Sequence, residues 1–113
     1  HAQIARIRPD GTGLEQLTFD ERVNWFPHID PTGTRAVYLS FPVGTEGHPA
    51  DLPVQLRVVD DISQTDAWTR GRVAVELFGG QGTINVNSWS PDGTRFAYVD
   101  YPIGSAGHGE EEE

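Results

Sequence analysis

The 113-residue chain has no cysteine, no methionine and no lysine. Without cysteine there is no disulfide, no thiol nucleophile and no thiolate zinc site. Without lysine, all eight basic residues are arginine, against 17 acidic ones, for a net charge of −9. An all-arginine set fits a GC-rich genome, or else a salt-adapted or engineered sequence. An acidic chain with no basic cluster is a poor nucleic-acid binder, because phosphate contacts need arginine or lysine. No apolar run is long enough to cross a bilayer, so membrane insertion is not expected. No leader peptide is visible. The chain opens on His1 and not on Met. It therefore reads as a processed product or a piece of a longer protein, and the missing leader says little about export. Catalytic signatures are missing too: there is no G-x-S-x-G, no H-E-x-x-H and no defensible carboxylate pair.

What is present is glycine (13), proline (8) and a modest hydrophobic fraction of 36%. That composition favours short strands and tight turns over helices. It also repeats itself. "DPTGTRAVYLSFPVGTEGH" (30–48) lies over "SPDGTRFAYVDYPIGSAGH" (90–108) without a gap. Pro, Gly, Thr, Arg, Tyr and His coincide, so the 60-residue spacing is a structural period.

Each copy reads as strand, turn, strand. "FPHI" (26–29) and "VNSWS" (86–90) are short strands, and "DPTGT" and "SPDGT" are turns in which Pro presets φ and Gly tolerates a positive one. "RAVYLS" and "RFAYVD" alternate with period two, as strands do. The first copy continues with "VQLRVVD" (54–60), a polar loop over 61–72, and "VAVELFG" (73–79). The N-terminus adds "AQIARI" (2–7), the turn "RPDGTG" and "LEQLT" (14–18). With strands named A to D, the order is C–D, A–B–C–D, A–B. The prediction is an all-β chain of about two four-stranded antiparallel units over 1–108, followed by an acidic tail at 109–113.

These residues resemble the repeats of TolB-type β-propellers. The match rests on "IARIRPDGTGLEQLT", "WFPHIDPTGTRAVYLS" and above all "WSPDGTRFAYVD" (89–100). The first copy departs from the pattern, with Ile29 where the repeat has Trp and Thr32 where it has Asp. The resemblance implies that each sheet is a propeller blade, and that blades pack radially around a channel. It implies little about function, because this repeat serves scaffolds, receptors and enzyme gates alike. Periplasmic or secreted bacterial residence is the expectation it carries.

Strand directions put the A–B and C–D turns on one face and the B–C and D–A loops on the other. The second face holds the unusual residues Glu46, His48, Gln81 and His108. His48 and His108 could line a repeated groove. Matching positions in adjacent blades lie side by side and do not converge, which argues against a shared metal. Each histidine also fits a structural part, closing a glycine-permitted turn by bonding a backbone carbonyl. His28, in strand A, could face the channel or be satisfied internally. Trp25 opens strand A near the loop face, Trp89 fits the core between blades, and Trp68 lies in the polar loop. "FGGQGTIN" lacks the Lys-Ser/Thr ending and the following helix of a phosphate loop, so it reads as a glycine-rich connection. Catalytic residues, metal ligands and cofactors are not implied.

The expectation is a non-catalytic propeller module. It would present the loop face to a protein or peptide, and three copies could complete each other's half-blades as a six-bladed ring. The alternative is part of a propeller enzyme, of lyase or peptidase-gate type, acting on acidic sugar or peptide. A further alternative is a natural or designed two-blade unit whose main property is assembly.

Overall fold

The computed structural model describes residues 1–80, 82–84 and 86–100. Seven elements follow one another: β1 (Ala5–Arg6), β2 (Glu15–Gln16), β3 (Val23–Ile29), β4 (Ala36–Phe41), β5 (Leu52–Val59), α1 (Thr65–Thr69) and β6 (Arg72–Gly79). Strands β3 to β6 form one antiparallel sheet in chain order, and β1 pairs with β2 in a separate two-stranded sheet. The last described residues begin a third unit, joined by an antiparallel bridge between Trp89 and Phe96. The order C–D, A–B–C–D, A–B is therefore the one built. No helix among the described residues is long and apolar enough to cross a membrane.

All six residues of β4 are buried, which requires cover on both faces of the sheet. Successive side chains point to opposite sides of a strand, so the six divide into two sets. Val37, Leu39 and Phe41 join Val23, Val54, Leu56, Val58 and Ile84 in one cluster, against which Trp89 and Phe96 pack. Ala36 and Tyr38 join Val59, Ile4, Leu17 and Trp68 in the other. The complete blade is thus held between the preceding half-unit on one side and the following one on the other. Burying each large aliphatic side chain contributes about 1.5–3 kcal/mol.

The turns close by local chemistry. Asp10 Oδ1 accepts from the Thr12 amide (2.9 Å) and hydroxyl (2.7 Å). Asp92 Oδ1 accepts from the Thr94 amide at 3.1 Å and from the Ser90 hydroxyl at 2.7 Å. In the first copy Thr32 stands where Asp92 stands in the second, and Asp30 where Ser90 stands. Asp30 Oδ1 there accepts from the amides of Thr34 (2.9 Å) and Arg35 (2.8 Å). The carboxylate has moved two residues along the turn while still stitching its backbone, so the departure from the repeat leaves the turn intact.

Three details differ from the reading of the sequence. Strand A starts at Val23, three residues early, because Val23 pairs with Phe41 and Asn24 with Ser40. The polar loop over 61–72 contains α1, and its Trp68 is buried at 3% exposure, stacked on Tyr38 at 6.3 Å. The second A–B pair is held by the single Trp89–Phe96 bridge and by flanking bonds such as Ser90 N–H to Arg95 C=O at 2.7 Å, not by two full strands.

Candidate binding face

The two faces of the blade are separated by their backbone contacts. On one face the Ile62 amide donates to the Thr34 carbonyl at 2.9 Å, joining the C–D loop to the A–B turn. Arg35 Nη1 donates to the Gly93 carbonyl at 3.2 Å, joining the turns of successive units. On the opposite face Gly80 lies so close to the Pro49 carbonyl that a side chain there would collide with it. The D–A connection is thereby seated on the B–C loop.

At the loop face strand β3 breaks its regular pairing. The register shifts between Trp25 and His28, and Phe26 takes a left-handed φ of 59°. For a residue with a side chain that conformation costs about 1–2 kcal/mol. The bulge turns Trp25 and Phe26 toward the B–C loop. There the His48 ring meets Trp25 edge-on at 4.9 Å and Phe26 at 5.3 Å. Trp25 Nε1 donates to the Gly47 carbonyl at 3.0 Å, which fixes the loop against the strand. His48 Nδ1 is buried with no hydrogen-bond partner among the described residues. Glu46, one residue before the Trp25 anchor, is exposed.

The remaining candidates separate. His28 Nε2 bonds the Ile84 carbonyl, while the His28 carbonyl accepts from Trp89 Nε1 at 2.8 Å. His28 therefore ties the blade to the following unit. Gln81 and His108 lie outside the described residues, as does the acidic tail. Among the described residues, no group of three or more His, Asp or Glu is gathered closely enough to hold a metal ion. Sequence reasoning placed Phe26 at the start of strand A but not at the site. Its only signal was the following Pro27, which has no N–H to give a ladder.

Beside this cluster lies a polar seam between the first half-unit and the blade. The Asn24 amide side chain donates to Gln3 Oε1 and Asp20 Oδ1, both at 3.1 Å. Arg22 Nε donates to the Ser40 hydroxyl at 2.7 Å, and its Nη2 to the Ser40 carbonyl at 3.0 Å. Burial and the neighbouring Arg57 charge lower the Arg22 pKa from its ordinary value. Arg57 approaches Asp20 at 3.7 Å. These contacts tie the base of the face together and occupy both Arg22 and Arg57.

A whole antiparallel blade covered on both sides by halves of its neighbours is the signature of a β-propeller. The chain has a TolB-like β-propeller fold. It is similar to a protein of Agrobacterium tumefaciens whose structure was solved under the provisional name TolB, with a TM-score of 0.79, 39% identity, and coverage of 89% of this chain and 35% of that one. It is also similar to the uncharacterized protein Atu1656 of Agrobacterium fabrum, at 42% identity over 101 residues, 88% of this chain and 32% of that protein. The chain thus spans about a third of the length of each of these relatives. No protein-family model matches it.

Proposed function

We propose that this chain is a non-catalytic segment of a β-propeller that docks a protein or peptide on its loop face, in the bacterial periplasm. One observation carries the reading: the Trp25–Phe26–His48 cluster, held at the loop face by a strained strand bulge. Backbone strain of this kind persists only where surrounding contacts enforce it, and it concentrates at functional sites. Aromatic side chains with part of their surface open are the usual anchors of a protein interface. Exposed Phe19 (66%) and Val43 (61%), from the adjoining loops, add apolar surface to the same face. The resemblance to TolB supports the periplasmic location.

The test is selection of peptides from a displayed random library on the wild-type chain. Selected peptides should lose binding to Trp25→Ala and keep it with Asp66→Asn, on the opposite face, with both variants folded by circular dichroism. Peptides indifferent to Trp25→Ala would overturn the reading.

Self-association is the second reading, favoured by the half-units on either side of the complete blade. In a longer protein the neighbouring blades complete them. In isolation three copies would do so, closing a ring of six blades. Light scattering at several concentrations distinguishes a discrete trimer from a monomer.

A further inference from the structure

We infer that the partner of the loop face is a cationic segment, one carrying lysine or arginine beside an apolar or aromatic residue. This rests on the loop face being the docking surface, and it adds what that surface selects. Arg35, Arg70, Arg72 and Arg95 lie at the turn face, where Arg72 pairs with Asp60 at 3.0 Å and Arg70 with Asp66 at 2.5 Å. At the loop face the Arg22 guanidinium is committed to Ser40, and Arg57 reaches in from β5 to pair with Asp20 at 3.7 Å.

Asp20 is compensated in this way, but three other loop-face acids are not. Glu21 precedes β3, Glu46 precedes the Gly47 carbonyl that anchors Trp25, and Asp51 follows the Pro49–Ala50 seat of Gly80. All three are exposed, and none forms an ion pair among the described residues. The same face carries exposed Phe19 and Val43 and the partly exposed ring of Trp25. Uncompensated carboxylates on a face that also offers aromatic and aliphatic side chains match a basic segment with an apolar anchor, and repel an acidic one. The indole face adds a cation–π contact for a lysine or arginine.

The probes are two synthetic peptides with the same apolar and aromatic residues, one with lysines and one with glutamates at its charged positions. Binding is measured by calorimetry at low and at physiological salt. The lysine peptide should bind about tenfold or more tightly over the other, with affinity falling as salt rises. The triple variant Glu21→Gln, Glu46→Gln, Asp51→Asn should lose most of that preference and its salt dependence. Asp66→Asn should lose neither. Equal binding of both peptides that disappears in Trp25→Ala would overturn the charge preference and leave the docking reading standing. Failure of both peptides to bind would overturn both. An unchanged preference in the triple variant would move the charge selection off this face.

Discussion

Asp30 and Gly93 meet across the junction between two blades, and the Asp30 carboxylate fills the space a side chain on Gly93 would take. Gly93 also has a φ of 73°. A Gly93→Ala substitution therefore carries two penalties, a left-handed backbone and a collision with a carboxylate already bonded to its own turn. The expected loss is about 2 kcal/mol or more, read by urea unfolding. Gly33→Ala is the comparison. It has the same backbone sign but open space around its Cβ, so it should lose only the backbone part.

Leu39 is fully buried between the blade and the unit that follows it. Leu39→Ala should cost about 2–5 kcal/mol, the usual range for a cavity left in a packed core. Leu14, 74% exposed, should tolerate the same change within about 0.5 kcal/mol. Chemical denaturation of both variants tests whether the core lies on this seam.

Acid should loosen the turns before it disturbs the core. Thr94 and Ser90 lower the Asp92 pKa from 3.8 to about 2. Hydrogen bonds lower Asp10, through Thr12, and Asp30, led by Thr32, below the same ordinary value. A carboxyl depressed in the folded state stabilises above its unfolded pKa, and that contribution fades as pH falls toward the folded value. Stability should therefore drop between about pH 4 and pH 2. Asp92→Asn should show a shallower acid limb in a thermal-melt series against pH. An identical slope would mean that the turns do not carry the effect.

Trp68 buries its indole N–H without an acceptor among the described residues while its ring stacks on Tyr38. An unsatisfied buried donor costs about 1–3 kcal/mol. Trp68→Phe removes the donor and keeps an aromatic ring, so it should be close to neutral. Trp68→Ala should cost about 3–5 kcal/mol. Equal losses in the two variants would show that the N–H finds a partner.

The blade was readable because its signals are local. Period-two strands and "DGT" turns are written within a few residues, and a 60-residue repeat confirms each reading with a second. Helix α1 was not readable: it has five residues, and its N-cap Gln64 makes no side-chain capping bond. The burial of Trp68 depends on Tyr38, thirty positions away, and no local pattern encodes it. The loop face was legible as a set of segments through strand direction. Its centre was not, because the bulge at Phe26 reverses the alternation that would otherwise predict where each side chain points. His28 shows the cost: its ring serves the Ile84 carbonyl, a contact made only once two units are packed.

Because β4 is covered on both faces, its amides lie in the middle of a stack and not at its surface. Exchange with solvent there requires the pairing with β3 or β5 to break beneath cover on both faces, whereas β6 has only β5 to release among the described strands. Deuterium uptake should therefore rise outward from β4, and the stability of the blade becomes a property of the row it stands in, set by how many neighbours remain docked.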